Sequence, residues 1–395
     1  MPKSYRLKRF TNAAILRRID FPLLAEFFES DPSFVEFLSQ RGMQWTSEQE
    51  SFDYDALARI LMDPGVDTPE DLLDALYFVD SLTDDESYDR ILGECAEAGI
   101  DLGAEDLTPE ELTLRVWLAD RNVLEKIHAE QYRTHPKRFE SFFARLANPP
   151  DFQYPSPEVL AALEDSLNAF YEFKKKGRGA RVFPFVGEDG VWFLVRHGQR
   201  LKREGTLEAD GSSGSAFFRP EKFDVLIYYP REGELTISTT TKGERENYCT
   251  CFGRHLFGDD MFFRFTDLVP KYTLRALIDR GPAVLACGDI AGLKAIRFSE
   301  LHINHAVLKE TDTEIRRADD VFRALDKQSR TLRHMEDSRR LVRAKFVAMF
   351  DDGRERTITV EPPNIGTFER DTDSTIIQEW MAARGLVCSR TTTEE

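Results

Sequence analysis

The sequence predicts an α+β protein: a helical N-terminal domain, then an antiparallel or mixed β-rich domain with helices, closing on a β-hairpin and a last helix. Three observations carry this. Apolar residues recur at helical spacing early in the chain, as at Phe21, Leu24, Phe27 and Phe28. After Arg181 the texture changes to short runs of β-branched and aromatic residues bounded by Gly, Pro or Asp. Near the end, Val342–Phe350 and Thr357–Val360 flank Asp351-Asp352-Gly353, a hairpin pattern, and Ser374–Arg384 reads as a helix stopped by Gly385.

The helical part announces its own start points. Thr68-Pro69-Glu70-Asp71 and Thr108-Pro109-Glu110-Glu111 each set a capping hydroxyl before a proline and acids in the first turn. Residues 123–147 read as a further helical stretch, interrupted at Thr134-His135-Pro136. A proline-rich connector over 148–157 precedes a helix running from Pro157 to about Lys176. The basic, glycine-containing segment Lys174–Gly179 then marks a boundary.

The strands come in order: Val182–Val186, Val191–Val195, Ala216–Phe218, Val225–Tyr229 and Leu235–Thr241, with a loop over 209–215. Residues 243–255 and Leu268–Asp279 return to helix, Ala283–Leu285 and Ala295–Leu301 to strand, and Thr313–Asp326 reads as a charged helix. A chain of 395 residues accommodates several domains. The expected division is an acidic helical domain over 1–150, a helix and basic linker over 151–180, a β-rich domain over 181–305, and a charged helix, hairpin and terminal helix over 306–395.

Charge is unevenly placed. The formal net charge is −17. Residues 51–100 hold 2 basic and 14 acidic side chains, whereas 251–350 hold 18 basic and 14 acidic. The early block would repel a phosphate backbone. Five scattered cysteines, an N-terminus without an apolar leader and no long apolar run point to reduced thiols and a cytoplasmic location.

Four constellations carry candidate chemistry. Cys249, Cys251 and His255 lie close in sequence, but i, i+2 thiols on a helix diverge, which disfavours a shared metal. Asp224, Glu234 and Lys242 follow the order of a metal-dependent nuclease, where carboxylates hold the ion and lysine steadies the nucleophile. Their spacing is too wide for one short-range site. Arg196, Arg200, Lys202 and Arg203, with His197, Trp192 and Phe193 nearby, form a basic strand edge with aromatic neighbours. Arg316, Arg317, Arg339, Arg340 and Arg343 belong to the most basic stretch, broken by five acids.

No phosphate-binding glycine loop, nucleophile elbow or His-Glu-x-x-His motif occurs. The sequence reading is therefore a non-catalytic interaction or adaptor subunit of a bacterial-type cytoplasmic multi-protein complex, working through an acidic helical face and a basic C-terminal segment. It expects protein partners, no membrane and no cofactor. Two alternatives stand beside it: a nucleic-acid-associated subunit of an anti-phage or genome-maintenance assembly, and a divergent metal-dependent nuclease or hydrolase.

Overall fold

In the computed structural model the chain falls into two units, Met1–Gln131 and Tyr132–Glu395. Residues 8–388 are described, apart from 47, 65–67, 104–105, 134–135, 146–149, 188–189, 208–210, 264–269, 306–311, 333–339 and 371–373.

The first unit is helical: α1 (Ala13–Leu16), α2 (Phe21–Glu29), α3 (Pro32–Gln40), α4 (Tyr54–Met62), α5 (Glu70–Ser81), α6 (Asp85–Ala98) and α7 (Pro109–Glu130). Short polar residues begin most of these helices. Asn12, Asp31, Asp53, Asp84 and Thr108 each accept a backbone N–H of the first turn. Thr108 and Glu111 complete a reciprocal capping box. Two acids of the 51–100 block, Asp53 and Asp84, are thus absorbed into caps, and others, including Asp55, Glu70 and Asp71, lie exposed. Phenylalanines from α2 and α3 and leucines from α4 and α5 fill the main core of this unit.

The second unit is built on a ten-stranded sheet in the order β2-β3-β6-β7-β1-β12-β11-β10-β8-β9. The strands are β1 (Arg138–Phe143), β2 (Arg181–Val186), β3 (Val191–Gly198), β6 (Glu221–Tyr229), β7 (Glu234–Ser238), β8 (Leu293–Asn304), β9 (Thr313–Arg317), β10 (Leu341–Phe350), β11 (Glu355–Glu361) and β12 (Ile365–Thr367). Every pairing is antiparallel. A separate two-stranded ribbon, β4 (Lys202–Leu207) with β5 (Ser213–Phe218), lies between β3 and β6 in the chain. The helices are α8 (Pro157–Phe173), α9 (Lys242–Phe257), α10 (Arg275–Asp279), α11 (Val321–Asp326) and α12 (Ser374–Ala383).

Register shows how one sheet supports two cores. Phe142, Leu235, Leu226 and Phe193 share a face and meet α8 and α9. Carried across β12, the alternation places Val360, Ala344 and Leu301 on the opposite face, where α10, α11 and α12 cover them. Helix α9 comes very close to the turn that follows it, since a Cβ on Gly253 would lie 2.5 Å from the Asp259 carbonyl. Among the described residues no helix is long and apolar enough to cross a membrane.

Four elements differ from expectation; one is the helix expected over Leu268–Asp279, which begins only at Arg275. Residues 138–143 form β1, a strand in the middle of the sheet, and the helical unit ends at Gln131 rather than near 150. A short aromatic run does not separate helix from strand by periodicity, and Pro136 supplies the break. Residues 313–317 pair with β8 as a strand, so the charged helix shortens to α11. Residues 283–285 lie in a 3-10 turn, Gly281–Leu285, not a strand. The segments expected as domains over 181–305 and 306–395 contribute to one sheet.

Candidate functional site

Alternation along β3 buries Val191, Phe193, Val195 and His197 on one face. Alternation along β6 places Lys222, Asp224, Leu226 and Tyr228 beside them, because Val195 pairs with Asp224 and His197 with Lys222. Polar residues therefore occupy the last two positions of an otherwise apolar stripe. Helices α8 and α9 close over them with Tyr171, Tyr248 and Glu244.

The result is a buried ionic network. His197 and Asp224 are each 1% exposed and Glu244 is 2%. Asp224 Oδ2 receives Tyr248 OH at 2.8 Å and faces His197 Nε2 at 3.0 Å. Lys222 Nζ lies 2.7 Å from Asp224 Oδ1. His197 Nδ1 sits 2.9 Å from the Gly198 carbonyl, to which it can only donate. The imidazole stacks on Tyr171 with centroids 4.2 Å apart. Tyr171 in turn bonds the Tyr248 hydroxyl.

Glu244 belongs to the capping box Thr241-x-x-Glu244 at the start of α9, and its Oε2 accepts the Thr241 N–H at 3.0 Å. Lys176 pairs with its other oxygen. The Thr239 hydroxyl bridges the two acids, 2.7 Å from Asp224 and 2.8 Å from Glu244.

Electrostatics follow from these contacts. Burial alone would raise the Asp224 carboxyl, but the His197 hydrogen bond and the Lys222 ammonium outweigh it and hold it below its ordinary value. Burial is likewise outweighed at Glu244 by Lys176, Lys222 and the threonines, which hold it at about 2. Burial, and next the Asp224 charge, push Tyr248 well above the usual phenol range.

Ligand-capable atoms of His197, Asp224 and Glu244 lie within 4.8 Å of one another, a spacing a cation can bridge. Two carboxylates already face two ammonium groups here, and each acid is supplied with several hydrogen-bond partners. The converging oxygens, Asp224 Oδ2 and Glu244 Oε2, already face the hydroxyls of Thr239, Tyr248 and Thr241, which a divalent ion would have to displace. The network is accordingly a closed brace rather than an open ligand set.

What it braces is the root of the β4–β5 ribbon. The β3–β6 pairing ends at Gly198 and Glu221, Gln199 donates to the Pro220 carbonyl, and the chain continues with a one-residue slip into Lys202 opposite Phe218. Arg219 reaches back to the Lys175 carbonyl at 2.7 Å. The segment after α8 packs so tightly that a Cβ on Gly198 would lie 2.7 Å from the Lys176 carbonyl. Beyond this root every described residue of β4 is exposed, and among the described residues the two strands form a sheet of their own. At about 3.3 Å per residue the ribbon extends about 20 Å. Leu207 is 80% exposed and Phe217 63%.

The expected site residues distribute as follows. Asp224 joins the network. Glu234 pairs instead with the partly buried Lys271 at 2.5 Å. Glu234 lies opposite Tyr229, five residues along β6 from Asp224, or about 17 Å. Lys242 is exposed at the start of α9 beside Glu246. The nuclease-like trio is therefore not brought together. Cys249 and Cys251 are buried in the α9 core, where burial pushes the Cys249 thiol well up and Cys251 to about 11. His255 turns instead to Ser166, 2.8 Å away.

Phe193 is core and Trp192 lies half-buried under Arg133, so neither offers a free stacking face. Arg196 faces Glu221 at 3.6 Å, and Lys202 pairs with Glu204. Arg200 and Arg203 are exposed. In the C-terminal segment, Arg316 pairs with Glu314 and Arg317 with Glu300, each at 2.6 Å, and Arg343 lies 3.9 Å from Glu361. Arg340 is exposed, and Arg339 lies outside the described residues. A surface cavity of about 300 Å³ beside β9 and α11 is lined by Glu314, Arg316 and Arg317, whose charges are thus already engaged.

Sequence reading missed Glu244, Lys176, Lys222 and the two tyrosines. Two signals point to them in retrospect: a charged residue at an inward position of a strand, and Thr241-x-x-Glu244 ahead of a helix. Compared with known proteins, the sequence matches no protein-family model and no curated protein.

Proposed function

We propose that the chain is a non-catalytic interaction subunit of a cytoplasmic assembly, and that its partner-binding element is the β4–β5 ribbon. The observation that carries this reading is a ribbon without a core of its own, held at its root by a buried ionic network. A lone two-stranded hairpin is marginally stable in water. Here its described strands are seen to pair with each other, and it displays Leu207, Phe217 and Phe218 to solvent. Edges and apolar side chains of this kind are ordinarily covered or blunted unless they serve as docking surfaces. Five cysteines with no disulfide among the described residues suit a reducing compartment.

Catalysis has less support. The most convergent polar groups are buried and mutually paired. The test compares the full chain with one in which residues 200–219 are replaced by a Gly-Asn turn, both purified from the native source. The proposal expects a protein recovered in stoichiometric amount with the first and lost from the second, with both chains folded. Equal recovery by both chains, or a bare monomer in both cases, would overturn it.

A further inference from the structure

The root of the ribbon carries a second feature. Lys174, Lys175, Arg200 and Arg203 are exposed and have no carboxylate partner among the described residues. Arg219 links the first pair to the ribbon through the Lys175 carbonyl, and its side chain lies 3.1 Å from where a Gly177 Cβ would be. Aromatic rings stand among these cations. Phe173 is 78% exposed next to Lys174, whose ammonium lies 5.3 Å from its ring. Phe217 pairs across the ribbon with Arg203, and Phe218 with Lys202.

Unpaired cations of this density are unexpected in a chain of net charge −17. Charges within about 10 Å dominate at ordinary salt, so the local sign decides what approaches. The Arg316–Arg317 pair differs, because its acids are already in place.

The geometry points to a single-stranded nucleic acid as the ligand of this root, its phosphates on Lys174, Lys175, Arg200 and Arg203 and its bases against Phe173 and Phe217. This inference rests on the reading of the ribbon as the binding element. Cations track a backbone, and flat exposed rings stack on bases of any identity. An acidic peptide would engage the cations alone, whereas here a ring stands directly beside them at Lys174–Phe173 and Arg203–Phe217. A duplex keeps its bases stacked inside and offers none to Phe217.

The test is fluorescence anisotropy of a labelled thymidine 20-mer with the full chain, from 50 to 200 mM salt. Four phosphate contacts predict a log–log salt slope of about −3, roughly a fifty-fold loss over that range. The variant Lys175→Glu/Arg200→Glu/Arg203→Glu should weaken binding more than tenfold. Phe217→Ala should weaken it several-fold without changing the slope. Both variants alter exposed side chains, and their circular dichroism and melting should match the parent.

Absence of binding by the parent at 50 mM salt overturns the inference. So does binding that survives the triple variant, or a duplex bound as tightly as the single strand. If the oligonucleotide fails but ribbon replacement still releases a protein partner, the nucleic-acid assignment falls and the interaction reading stands. If neither depends on the ribbon, both fall.

Discussion

Replacing Asp224 with Asn tests the brace at its centre. The substitution keeps the volume, removes the charge, and turns one acceptor oxygen into a donor. Tyr248 OH already donates to that carboxylate, His197 Nε2 and the Thr239 hydroxyl face it, and the Lys222 ammonium sits beside it. Tyr248 is shut away from water, so its hydroxyl left without an acceptor costs about 1–3 kcal/mol. Lys222 is about one-fifth exposed and can turn outward, which limits its share. The expected loss is about 3 kcal/mol, at the low end for breaking a buried pair. A chain of two units need not unfold in one step, so urea titration should be followed by hydrogen exchange in β3 and β6. Lys222→Met in the same background should be less than additive by about 1 kcal/mol or more, because the two share one interaction. A loss below 1 kcal/mol, or strict additivity, would refute the brace.

Further outcomes follow from the same contacts. Glu244 titrates at about 2 when folded against an ordinary 4.5, so its contribution is complete above about pH 5.5 and fades as pH falls through 2. That contribution is about 3 kcal/mol at neutral pH. Urea midpoints at pH 7, 4 and 3 should show the decline, and Glu244→Gln should flatten it; an unchanged acid slope in that variant would contradict the assignment. Cys249 should resist iodoacetamide in the native protein at pH 8 and react only on unfolding, since burial suppresses its thiolate; rapid native labelling would count against its place in the core. Gly253→Ala should lower stability by at least about 1 kcal/mol because its Cβ would strike the Asp259 carbonyl, and an unchanged melting temperature would show that the turn yields. Leu207→Ser should leave stability within about 0.5 kcal/mol, and a larger loss would mean that the ribbon packs against something.

Much of the architecture was legible in local pattern. Thr108-Pro109-Glu110-Glu111 begins α7, and Asp351-Asp352-Gly353 turns β10 into β11, because caps and tight turns are short-range chemistry. Strand β1 was not legible. Phe139, Phe142 and Phe143 lie in the middle of the sheet with both faces covered, so no alternation marks them. The site was legible only in part. Asp224 drew notice as an acid on a strand, but its partners come from residues 197 to 248, and only strand register and helix packing bring them together. Lys242 attracted attention by its order in the chain and proves solvent-exposed, since order does not fix which way a side chain points. The ribbon was hidden because Ala216–Phe218 reads like any other strand. Its exposure is a property of what fails to cover it.

The claim that the ribbon is the working surface is tested most directly by hydrogen exchange on the complex formed with whatever stoichiometric partner the full chain retains. Amides of 202–207 and 213–218 should exchange quickly in the free chain and slow at least tenfold in the complex, while α8 and α9 stay unchanged. Protection confined to other elements, with the ribbon exchanging as fast as before, would contradict it.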